Sequence, residues 1–287
     1  MNPHVELYQF THDGDGIGVA RISEVQIKRS TRDGQERVSL DLRIEESLWD
    51  GHNQSAYSYF FDRPAYEMAR LKFPDPVWGR VDLRSGAEVL LVTPSAPPSL
   101  GGTQNPVYVE GIPAADDPVL RSIREVLVSE RAKQSDADRF DRRLRWLASG
   151  DVVHKLFAGE ILAKEGQAGD RMSRVILAFA RAFSEEQDPY TKISLGTWLW
   201  QNIYPQTVSE DGRIAIVNAT VGSASSESPD VRTFVIDRVS DVDPRLLGKP
   251  AVRPSREVIA LLEDRRRNEP DASVRESLDR VINALRR

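Results

Sequence analysis

Asp188-Pro189-Tyr190-Thr191-Lys192-Ile193, Pro229-Asp230-Val231-Arg232-Thr233 and Pro270-Asp271-Ala272-Ser273-Val274-Arg275 share one design. Each opens an apolar helical run with an Asp/Pro turn and sets a basic residue shortly after it. Lys192 and Arg232 are 40 residues apart, Arg232 and Arg275 are 43 apart, and a weaker copy, Asp151-Val152-Val153-His154-Lys155, places Lys155 37 residues before Lys192. A recurrence of about 40 residues carried by paired amphipathic helices is the period of helical solenoids.

These segments make residues 136–287 resemble a stack of HEAT-like, armadillo-type repeats. The resemblance rests on the period and on the Asp/Pro-to-basic turn, with no catalytic motif behind it. It implies that Lys155, Lys192, Arg232 and Arg275 form an inter-repeat ladder satisfying polar groups at successive turns. The other reading of the same four residues is a ligand-binding basic stripe. The period drifts, and a proline-rich interruption runs from Asp243-Pro244 to Pro254, so a helical bundle without HEAT geometry stays open.

The 287 residues exceed one typical core, and composition shifts from strand-like to helix-like near Ala115. The expected divisions are an antiparallel β domain at 1–112, a lead-in helix at 113–135 and a helical-repeat domain at 136–287. No segment approaches the roughly 18 uninterrupted apolar residues that span a bilayer, and the first residues lack the pattern of a signal peptide. The chain is therefore expected in the cytoplasm. With no cysteine in the sequence, thiolate catalysis and Cys-based metal sites are excluded. A net charge of −5 argues against a surface that tracks phosphates.

In the first domain Val38, Leu40, Leu42 and Ile44 alternate with Ser39, Asp41 and Arg43, the period of a strand with one buried face. Asp33-Gly34 and Asp50-Gly51 suit tight turns on either side of it. Further strands are expected at 5–10, 17–28, 56–61, 77–83, 88–93 and 107–111, with a short helix beginning at Pro64. Six or seven strands fit a β-sandwich or a barrel.

The stretch from Thr93 to Pro106, dense in Pro, Gly and Ser, reads as a mobile loop or as a segment offered to a partner or protease. Thr11 to Gly18 imitates part of a calcium loop, with Glu24 at the twelfth position from Asp13, but Ile17 stands where a ligand is needed. A hairpin turn is the preferred reading. His4, His12, His52 and His154 have no ligand spacing, and signatures for nucleotide binding, serine nucleophiles and zinc are missing. No metal, cofactor or nucleotide is expected, and no catalytic residue is nominated.

Helices are expected at 117–134, then in pairs at 137–148 with 151–164, 170–184 with 189–204, 210–222 with 229–239, and 255–266 with 271–285. The basic ending, Arg265-Arg266-Arg267 and Arg286-Arg287, is interleaved with acids and reads as a solvated cap rather than a nucleic-acid site. The 189–204 helix is apolar nearly all round: Leu195, Trp198, Leu199 and Ile203 share one face, while Ile193, Trp200 and Tyr204 fall on the other. That second face is either buried between repeats or exposed as aromatic anchors for a partner. Together these features point to a non-catalytic protein-interaction adaptor or regulatory subunit. The alternatives are a protease substrate or inhibitor presenting the 93–106 loop, and a nucleic-acid-binding accessory protein.

Overall fold

The computed structural model describes residues 3–13, 15–29, 35–49, 55–64, 81, 83–94, 106, 108–112, 116–165, 171–201, 208–253 and 255–286. The chain divides into two compact units, Met1–Lys133 and Gln134–Arg287.

The first unit holds helix α1 (Pro3–His12), strands β1 (Gly16–Arg29), β2 (Gln35–Trp49), β3 (Ala56–Pro64), β4 (Glu88–Thr93) and β5 (Tyr108–Ile112), and helix α2 (Pro118–Arg131). The strands form one antiparallel sheet in the order β3-β2-β1-β4-β5. The described strands leave this sheet open, with β3 and β5 as its outer members. Alternation in β2 works as the pattern requires: Val38, Leu40 and Leu42 are buried, Asp41 and Arg43 are exposed, and Ile44 is half-buried. They pack with Ala20, Ile22, Tyr59, Val89, Leu91 and Val109 on one face of the sheet. Gly86, at φ 86°, makes the backbone turn before β4, where its N–H bonds to the Ile22 carbonyl.

Three readings of this unit need correction. Residues 5–10 are helical, because Leu7 and Phe10, three apart, turn the same way and are both buried. Thr11 and His12 consequently end α1 and Gly16 to Gly18 open β1, in place of the expected hairpin turn, and Glu24 lies within β1 opposite Asp41. Pro64 ends β3 instead of starting a helix. The remainder of that proposed helix, both Asp-Gly turns, most of the 77–83 strand and residues 95–105 lie outside the described residues. Helix α2 belongs to the first unit: Arg124 Nε donates to both carboxylate oxygens of Glu46 on β2 at 3.1 Å, and the Arg131 guanidinium lies 4.8 Å from the Trp49 ring centre.

The regular elements described in the second unit are all helices. It comprises α3 (Asp136–Ser149), α4 (Val152–Glu165), α5 (Arg171–Glu185), α6 (Pro189–Gln201), α7 (Glu210–Gly222), α8 (Pro229–Ser240), the single turn α9 (Pro244–Leu247), α10 (Arg256–Asn268) and α11 (Ala272–Leu285). Consecutive helices pack as α3 on α4, α5 on α6, α7 on α8 and α10 on α11. Among the first helices α3 packs on α5 and α5 on α7, and α4, α6, α8 and α11 pack successively on one another. Close approach is built in by small residues. A Cβ on Gly159 of α4 would lie 2.5 Å from Trp198 of α6, and one on Gly196 of α6 would lie 2.7 Å from both Phe183 of α5 and Phe234 of α8. The proline-rich stretch after Asp243 contributes α9, whose start is capped by the Asp243 carboxylate accepting from the Arg245 N–H at 2.8 Å.

Candidate functional site

The second helix of each pair starts at a capping side chain. Asp151 Oδ1 accepts from His154 N–H at 3.1 Å, Asp188 Oδ2 from Thr191 N–H at 2.8 Å, Ser228 Oγ from Val231 N–H at 3.5 Å, and Asp271 Oδ1 from Ser273 N–H at 2.7 Å. Such caps satisfy backbone donors that the first helical turn leaves without a partner. Lys155, Lys192, Arg232 and Arg275 each stand four residues after the cap, and each donates its own backbone N–H to the cap carbonyl, at 2.9, 2.9, 3.1 and 3.0 Å respectively. In the third pair the capping residue is Ser228, just before Pro229.

The side chains of three of these residues fold back over the preceding turn. Arg232 Nη1 donates to the Ser226 and Glu227 carbonyls at 2.9 and 2.7 Å, and Arg275 Nη1 to the Glu269 and Pro270 carbonyls at 2.7 and 2.9 Å. Lys192 Nζ reaches the Glu186 carbonyl at 3.1 Å. These bonds lie within one helix pair. Lys155 alone reaches the following pair, where its Nζ donates to Glu186 Oε2 at 2.7 Å.

Glu186 is thus the centre of a polar cluster in the α5–α6 turn. It is 8% exposed, and its Oε1 accepts from the backbone N–H groups of Gln187 and Asp188 at 2.8 and 2.9 Å. Burial raises its pKa, but the bonds from Lys155, Asp188 and Gln187 outweigh burial and hold the carboxyl below its ordinary range. Lys192, 7% exposed and 5.4 Å from the Phe183 ring centre, is pulled below the usual lysine value by burial, with Glu186 acting in the opposite sense. The arrangement fixes a turn and joins two helix pairs. Sequence reasoning passed over Glu186, although an acid two residues before Asp188-Pro189 was the available signal.

Of the candidate partner residues, Trp200 is 4% exposed and its indole N–H donates to Thr220 Oγ1 of α7 at 2.9 Å. This takes Trp200 off the accessible surface, since both ring and N–H are occupied within the unit. Ile193 is half-buried, and Tyr204 lies outside the described residues. Tyr190, three residues before Ile193 on α6, is exposed, as is Leu177 on α5. The basic ending is largely paired: Arg265 with Asp237, Arg266 with Asp279 at 2.6 Å, Arg267 with Asp264 at 3.2 Å, and Arg286 with Glu263. His154 sits buried against Trp146, with Nδ1 2.9 Å from Asp151 Oδ1.

Among the described residues no group of three or more His, Asp or Glu could hold a metal ion, and no helix is long and apolar enough to cross a membrane. Set against known proteins, the chain matches no family model, no curated protein and no solved structure.

Proposed function

We propose that the chain is a cytoplasmic, non-catalytic adaptor or regulatory subunit whose second unit is a HEAT-like helical solenoid binding another protein. The observation that carries this reading is the double succession of packed helices, α3-α5-α7 on one side and α4-α6-α8-α11 on the other. Each pair buries its apolar side against its neighbours, and their outward sides are left for recognition. The equivalent placement of Lys155, Lys192, Arg232 and Arg275 at the four second helices supports a repeated unit. Aromatic side chains are enriched among binding hot spots, so the exposed Tyr190, with Ile193 beside it on α6, is assigned to contact, and the exposed Leu177 on α5 is assigned as a second apolar contact.

The test is affinity capture with the full chain from its native source, followed by reconstitution of the complex from purified components. The reading expects a protein that binds in fixed stoichiometry and whose affinity falls at least about tenfold with Tyr190→Ala. Retention of nucleic acid alone, or a reconstituted complex indifferent to Tyr190→Ala and Leu177→Ala, would contradict it.

A further inference from the structure

Between α9 and α11 lies an open cleft of about 560 Å³, lined by Pro244, Arg245, Gly248, Arg280, Asn283 and Ala284. That volume suits a small ligand or a few residues of an extended peptide. Arg245 and Arg280 are both exposed, and neither side chain has a hydrogen bond or ion pair among the described residues. This separates them from Arg265, Arg266, Arg267 and Arg286 in the same part of the chain, all of which meet a carboxylate. No neighbouring acid among the described residues is paired with them. Asp243 is engaged in capping α9, Asp279 is paired with Arg266, and Glu276, one turn before Arg280, forms no ion pair with it.

Two guanidinium groups without a carboxylate partner among the described residues therefore share one cleft. Guanidinium forks match carboxylate oxygens two at a time, and the Asn283 amide can donate or accept beside them. Pro244, Gly248 and Ala284 offer aliphatic surface between the polar arms. A nucleic-acid strand needs a row of cations along its phosphates, which two arginines do not provide. We propose that this cleft binds a carboxylate-bearing, acidic peptide segment of a protein partner, with Arg245 and Arg280 as its anion receptors. The assignment rests on the protein-binding reading above and names one of its contact points.

The probe is a fluorescein-labelled hexapeptide of alternating glutamate and leucine, titrated by fluorescence anisotropy against the full chain at physiological salt. The comparison is with the double variant Arg245→Gln/Arg280→Gln and with Arg213→Gln, an exposed arginine on α7 outside the cleft. Melting curves establish that the variants are folded. Saturable binding should weaken at least about tenfold in the double variant and less than about twofold in Arg213→Gln. Equal binding by the double variant overturns the assignment, as does an equal loss in Arg213→Gln. Displacement by inorganic phosphate at the peptide's own concentration, or tighter binding of an oligothymidine, also overturns it by naming another ligand class. If the wild-type chain ignores the peptide, the cleft proposal falls, while the adaptor reading stands or falls separately on the Tyr190→Ala complex.

Discussion

Lys155 and Glu186 belong to successive helix pairs and meet through a 2.7 Å contact between Nζ and Oε2 across 31 residues of chain. Because Glu186 also accepts two backbone N–H groups of its own turn, one carboxylate orders the α5–α6 connection and ties it to α4. The pair is therefore both a turn element and a joint between neighbours.

Glu186→Gln should cost about 2 kcal/mol at pH 7, the scale of lost hydrogen bonds to a charged acceptor. The pKa of Glu186 is lower in the folded chain than in the unfolded one, so between the two values only the unfolded chain binds the proton. Its contribution is present above the ordinary carboxylate pKa of about 4.3 and is lost as pH falls through the folded value. Thermal melts from pH 7 to pH 3 should show the wild-type advantage over Glu186→Gln shrinking with acid. A constant difference would detach the effect from ionisation.

Trp200→Ala removes a buried indole and its bond to Thr220, leaving a cavity between α6 and α7. The expected loss is about 3 to 5 kcal/mol, read by calorimetry. An unchanged melting temperature would mean that the ring is not part of the core.

Gly196→Ala tests the meeting of α5, α6 and α8, where the added Cβ would press on Phe183 and Phe234 at once. Since aromatic rings in a packed core can yield only by shifting their helices, about 1 to 3 kcal/mol of destabilisation is expected in denaturant unfolding. Gly222→Ala, with nothing within 4 Å of the new atom, is the matched control.

Arg232 spans two successive carbonyls, whereas Lys192 in the corresponding place shows that a lysine reaches the carbonyl six residues back. Arg232→Lys should therefore keep part of the stabilisation that Arg232→Ala loses, with about 1 kcal/mol for the full loss. Chemical denaturation of both variants checks the order.

The helical half was legible because turn signals and apolar periodicity act locally: Asp151, Asp188 and Asp271, read from the sequence, cap the starts of α4, α6 and α11. The strands β2, β4 and β5 were legible for the same reason, through alternation in 38–44 and short β-branched runs. Residues 5–10 misled because Val5 and Leu7 flank Glu6 as they would at the start of a strand, while the three-residue spacing of Leu7 and Phe10 decides the packing. The single turn α9 escaped notice because its four residues carry no period. The role of Glu186 and the depth of Trp200 depend on partners 20 to 31 residues away, and no local pattern contains them.

The most direct test of the adaptor account is hydroxyl-radical footprinting of the full chain with and without the protein recovered by affinity capture. Tyr190 and Leu177, exposed in the chain alone, should lose at least about half of their labelling on complex formation, while buried Trp200 stays unreactive in both states. Unaltered labelling of Tyr190 and Leu177, with protection confined to residues 1–133, would contradict the claim that the helical unit is the binding surface.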